Sequence, residues 1–108
     1  MNDHRAPAGP LVVKLPPEID LSNSEQVGKD LRAAFQPGAS VVIADLTVTT
    51  FCDTSGARTL LVASKEASAA HIELRLAVQE GNVRRTMQLL GLDHVLRIYP
   101  TVAEALAV

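Results

Sequence analysis

Leu46-Thr47-Val48-Thr49-Thr50-Phe51-Cys52-Asp53-Thr54-Ser55-Gly56 is the stretch on which the reading of this chain turns. The continuous apolar run Val41-Val42-Ile43-Ala44, extended by Asp45-Leu46, leads into it and has the character of a strand covered on both faces, hence a central one. A helix-periodic pattern leads out of it, from about Ala57 to Ala70. Ala57, Leu60, Leu61, Ser64 and Ala67 fall on one side of that helix, and Arg58, Lys65 and Glu66 elsewhere. Asp53, Thr54 and Ser55 are all good helix N-cap types, so a turn from strand to helix here sets side-chain oxygens beside free backbone amides. Such a helix start favours negative charge, which makes the two hydroxyls candidate phosphate acceptors. The alternative is that they only cap the helix.

Toward the N-terminus, Leu11-Val12-Val13-Lys14-Leu15 reads as a strand stopped by Pro16-Pro17, which have no N–H to continue a ladder. Ser22-Asn23-Ser24-Glu25 has capping-box spacing. Val27, Leu31 and Ala34 then recur at i, i+4 and i+7, giving a helix from about Asn23 to Phe35 that Pro37-Gly38 ends. Toward the C-terminus, Ile72 to Val78 begins with apolar–polar alternation, as a half-covered strand does. Gly81-Asn82 opens a third helix whose stripe is Val83, Met87 and Leu90, with Gly91 placed as its left-handed C′ residue. Arg84 and Arg85 at its start could bind an anion or form a solvated face. Val95 to Tyr99 is a short last strand, and Thr101-Val102-Ala103-Glu104 a second capping box that starts a terminal helix. Strands alternating with helices imply parallel crossovers and an α/β layer architecture. Residues 1–10, with two prolines, a glycine and mixed charges, read as a frayed tail, and residues 11–108 as one domain.

The composition is that of an ordinary globular domain: 108 residues, 47% hydrophobic and 20% charged, with so few aromatics that the core must be aliphatic. A net charge of −2 lacks the basic excess that neutralises phosphates along a duplex, which points away from nucleic acid and toward a protein or small-molecule partner. Cys52, the single cysteine, cannot form an internal disulfide, and it suits a reducing compartment. Between Phe51 and Asp53 it reads as a small packed side chain, not as a nucleophile. No stretch approaches the ~18 apolar residues of a membrane span, and Met1 to Pro10 has no apolar h-region, so the expectation is a cytoplasmic protein. His4, His71 and His94 are far apart in sequence, and no metal or other cofactor is expected.

Leu46 to Gly56 resembles the Asp-Ser-Ser-Gly region of the STAS family, the domains shared by sulphate transporters and anti-sigma factor antagonists. Pro17-Glu18-Ile19-Asp20 is similar to that family's Gly-Glu-hydrophobic-Asp, and Val83-Arg84-Arg85-Thr86-Met87-Gln88-Leu89-Leu90-Gly91-Leu92 to its Val-Arg-Arg…Gly-Leu helix end. The resemblance covers about Leu11 to Leu106. It implies a STAS-like fold, a small mixed and mostly parallel sheet of four to five strands with about four helices mainly on one side. It also implies an anti-sigma factor antagonist, not an enzyme, which binds an anti-sigma factor of the serine/threonine kinase type until that kinase phosphorylates it. A phosphatase would reverse the switch. The family's hydroxyl after the Asp is Thr54 here, and the implied partner-binding residues are Asp20, Asp53, Thr54, Ser55, Gly56 and Ala57. Arg58 joins them either as a specificity residue or as a solvated helix residue. The chain departs from the family pattern at Pro17, which stands in place of Gly, and at Ala57-Arg58, which replace Leu-Gly. It also leaves little room for the family's first strand. Thr instead of Ser at position 54, Ala57-Arg58 after the glycine and the shortened N-terminus keep open an alternative, a STAS-like sensor or scaffold that works without phosphorylation. Asp53-Thr54-Ser55-Gly56-Ala57 is also similar to the Asp-Thr/Ser-Gly-Ala loop of retroviral-type aspartic proteases. Ser55 interrupts that motif, however, and those chains are nearly all β.

Overall fold

Val42, Ile43 and Ala44 have no exposed surface, because their strand has a neighbour on each edge and helices over both faces. The computed structural model describes residues 9–107, so all but the last two residues of the expected tail lie outside the described residues. In chain order the elements are β1 (Leu11–Lys14), β2 (Glu18–Ile19), α1 (Ser24–Ala34), β3 (Val41–Asp45), β4 (Phe51–Cys52) and α2 (Thr54–Ala69). There follow β5 (Glu73–Ala77), α3 (Asn82–Leu89), a 3₁₀ turn at Leu92–His94, β6 (Arg97–Tyr99) and α4 (Val102–Ala107). The main sheet has the order β1-β3-β5-β6, with every pairing parallel.

The period of 2 along β3 divides the core. Val42 and Ala44 join Leu74 and Leu76 beneath Val27 and Leu31 of α1 and Leu60, Ala63 and Ala67 of α2. Ile43 and Ala77 point the other way, under Ala105 of α4. Helices therefore lie mainly on one face, and among the described residues α4 closes the second.

Strand β5 departs from the half-covered strand expected from its alternation: Leu74 to Ala77 are all buried, including Arg75 at 7% exposure. The reason is chemical pairing. Arg75 Nε sits 2.7 Å from Glu73 Oε2, and Nη1 donates to the Ala105 carbonyl at 2.7 Å, so a charged side chain is satisfied beneath α4. The first capping box does not form either. Asn23 caps α1 without a side-chain bond, and the Ser22 hydroxyl donates to Asp20 instead. The second forms in half, with Glu104 N–H donating to Thr101 Oγ1 at 3.0 Å. Val83 and Met87 are buried as expected, but α3 ends before Leu90, which is 47% exposed.

Helix α2 ends in a Schellman motif: the Ile72 amide donates to Ala67 and the His71 amide to Ser68, with Ile72 and Ala67 both buried. His71 occupies the left-handed position at φ 61°, where glycine is the low-cost choice. His71→Gly should therefore raise stability by about 0.5–1 kcal/mol, and His71→Val should lower it, because a β-branched residue fits that region worst. Thermal melts of the two variants check this, and a destabilised glycine variant would contradict it.

Candidate functional site

Two two-residue strands build the platform. β2 and β4 pair in parallel, with Glu18 opposite Phe51 and Ile19 opposite Cys52. Pro16 and Pro17 cannot donate, but their carbonyls are used: Thr49 Oγ1 donates to Pro16 O at 2.8 Å and the Thr50 amide to Pro17 O at 2.7 Å. The ladder thus holds the loop before Asp53 against the chain before Asp20. Asp20 closes its own turn, its Oδ1 accepting the Ser22 amide and hydroxyl, while Asn23 Oδ1 accepts the Asp20 amide. The Asp53 amide then donates to Ile19 O at 3.1 Å. Asp20 and Asp53, well apart in sequence, become neighbours.

Helix α2 begins earlier than its apolar periodicity suggests. Asp53 is the N-cap, extended at φ −87°, ψ −174°, and Thr54, Ser55 and Gly56 form the first turn. One carboxylate oxygen of Asp53 accepts the Gly56 amide at 3.0 Å and the Ser55 hydroxyl at 2.6 Å. The Ser55 hydroxyl first, then the Gly56 amide, hold the Asp53 carboxyl below its ordinary value, so it is charged at neutral pH. The two hydroxyls therefore differ. Ser55 is half-buried and committed to Asp53; Thr54 is exposed, and its hydroxyl makes no hydrogen bond among the described residues.

Gly56 and Ala57 lie beneath this surface and Arg58 on it. A Cβ on Gly56 would fall 2.7 Å from Ile19 Cγ2 and 2.8 Å from Cys52 Sγ, so the glycine lets the first turn sit on the β2–β4 pair. The role left to Gly56 and Ala57 is to shape the loop from below. Leu21 and Phe51 were not among the residues singled out by sequence, yet they are 81% and 50% exposed beside Asp20 and Cys52. No periodic signal marks them in so short a strand; Phe51 turns outward because its strand neighbour Cys52 points in.

Cys52 is 5% exposed, and burial first, then Asp53, push its thiol up to about 11, so it stays protonated and unreactive at neutral pH. Cys52→Ser should cost about 1–3 kcal/mol by placing a hydroxyl in an apolar contact. Rapid labelling of the native thiol by a bulky maleimide, or a serine variant as stable as the parent, would refute this.

Together these features define a parallel α/β domain that presents, among the described residues, an exposed hydroxyl without a hydrogen-bond partner at a capped helix start. The chain belongs to the STAS domain family, whose model matches residues 3–105. It is similar in structure to an anti-sigma factor antagonist from Mycobacterium paratuberculosis, at 24% identity and a TM-score of 0.83, over 98% of this chain and 87% of that one. It is similar also to the anti-sigma factor antagonist SpoIIAA in its unphosphorylated form, at 28% identity and a TM-score of 0.71, over 90% and 84% of the two chains. A sulfate transporter family protein from Wolinella succinogenes matches at 15% identity and a TM-score of 0.81, over 96% and 87%, a likeness of fold alone. The aspartic-protease resemblance ends here, since four helices and parallel sheets are not the framework of an all-β chain.

Proposed function

We propose that this protein is a cytoplasmic anti-sigma factor antagonist: unmodified, it binds an anti-sigma factor of the serine/threonine kinase type and so frees a sigma factor, and phosphorylation at Thr54 ends that binding. The observation that carries this is the contrast at the start of α2, where Ser55 donates its hydroxyl to Asp53 at 2.6 Å and the exposed Thr54 hydroxyl is uncommitted. The reaction asks only for an accessible nucleophile. Thr54 Oγ1 attacks the γ-phosphorus of ATP held by the kinase, the bond to ADP breaks, and the hydroxyl proton passes to a base of the kinase. The surface offered to the partner is Asp20, Asp53, Thr54 and Arg58, with Ser55 behind them and Leu21 and Phe51 as apolar neighbours. Similarity to SpoIIAA, which is distinguished as having an unphosphorylated form, supports the same direction. A phosphatase acting on phosphothreonine 54 would restore binding.

The test is to recover the partner from the source cells by pull-down, incubate it with the domain and ATP, and locate the product by mass spectrometry. The expected result is a single phosphate on Thr54. A phosphate on Ser55 would overturn the assignment. Partner capture without any phosphate would favour the sensor or scaffold alternative.

A further inference from the structure

We propose that Arg58 is the internal counter-charge of phosphorylated Thr54, so that modification both adds charge at the helix start and withdraws a cation from the partner-facing surface. This rests on Thr54 as the phosphorylated residue and specifies what the phosphate does next. Thr54 and Arg58 are four residues apart on the 16-residue helix α2, both exposed. Side chains at i and i+4 are neighbours, and helical side chains lean toward the N-terminus, so the turn that carries Thr54 is within reach of Arg58.

The charges already present leave the phosphate little else. The carboxylate of Asp53 takes the Gly56 amide and the Ser55 hydroxyl, and its field offsets the positive end of α2. The helix amides are thus partly spent, and the phosphate arrives beside an existing negative charge. Asp20, on the neighbouring turn, and Glu25, across the α1–α2 groove, have the same sign. Arg32, which α1 contributes to that groove, is engaged with Glu66 at 3.4 Å. Arg58 makes no ion pair among the described residues, and it lines that groove of about 290 Å³ with Glu25, Gly28 and Thr59, which gives its side chain room to swing. A guanidinium and a phosphate make a charge-assisted, two-pronged pair that a single point charge does not reproduce.

The experiment installs phosphothreonine at position 54 by genetic encoding, so that no kinase is needed, and follows the phosphate by ³¹P NMR through pH 4.5–8 in the parent, in Arg58→Gln and in Arg58→Lys. Arg58 favours the dianion, so the second phosphate pKa should lie about 0.2–0.4 unit lower in the parent than in Arg58→Gln, with Arg58→Lys between them. The difference should shrink in 0.5 M NaCl. Equal pKa values in the parent and Arg58→Gln would overturn the proposal. So would a shift that salt leaves unchanged, since that would report altered packing. Failure of a cellular kinase to modify Thr54 would leave this titration intact, so the two ideas fail separately.

Discussion

Gly56→Ala is expected to lower the melting temperature by roughly 10–20 °C. The added Cβ would come within 2.7 Å of Ile19 Cγ2 and 2.8 Å of Cys52 Sγ, distances that real carbon atoms do not sustain. Neither neighbour can step aside. Ile19 is completely buried and Cys52 is 5% exposed, and their backbones are tied to each other by the β2–β4 pair. The first turn of α2 must therefore lift off the platform, or the platform must open. Overpacking of a close-packed site costs about 1–3 kcal/mol, and a rigid platform puts this case at the upper end. The gain from a less flexible unfolded chain, about 0.4–1 kcal/mol, does not offset it. At roughly 4–8 °C per kcal/mol for a domain of this size, a net loss near 2–3 kcal/mol gives the stated range. Because the same turn carries Asp53 and Thr54, partner binding should fall with it. A Gly56→Ala variant that melts within 2 °C of the parent would show that the turn is not seated as described.

The central architecture was legible because it rests on strong, local signals. Val41 to Ala44 has no polar residue to place outward, which suits a strand covered on both faces, and β3 is that strand. Gly91, expected as the residue after α3, is left-handed at φ 75°. The platform of the site was not legible, since two residues each in β2 and β4 are too few for any periodicity, and their pairing joins segments more than thirty residues apart. Arg75 misled for a physical reason: alternation marks it as solvent-facing, whereas Glu73 and the Ala105 carbonyl make burial tolerable. The polar cluster at Ser22 to Glu25 offers two uses for the same hydroxyl, and the Asp20 turn takes it before the helix can. At the site itself the residue types announced a capped helix start. Which hydroxyl remained free depended on side-chain geometry that spacing does not encode.

Thr54→Glu should weaken binding of the proposed anti-sigma partner by 100-fold or more while leaving the domain folded and slightly more stable. The two effects have opposite signs because the same charge meets two environments. Within the domain, the first turn of α2 contains no acidic residue beyond the Asp53 cap, so a carboxylate at Thr54 interacts favourably with the helix start, by about 0.3–1 kcal/mol. It also gains Arg58 at i+4 in the favourable Glu-to-Arg order. Across an interface packed on neutral Thr54, that carboxylate must be desolvated next to the charge of Asp53, and like charges brought together there cost several kcal/mol. At about 1.4 kcal/mol per decade, a penalty near 3 kcal/mol is a factor of more than 100 in Kd. Thr54→Ala removes the nucleophile without adding charge, so it should bind within about threefold of the parent and take up no phosphate. Thr54→Ser, which keeps the hydroxyl, should bind like the parent and still accept the phosphate. Isothermal titration against the recovered partner, beside thermal melts of each variant, separates these outcomes. Should Thr54→Glu bind as tightly as the parent, or lose its affinity only together with its fold, charge at this position is not what controls the partner.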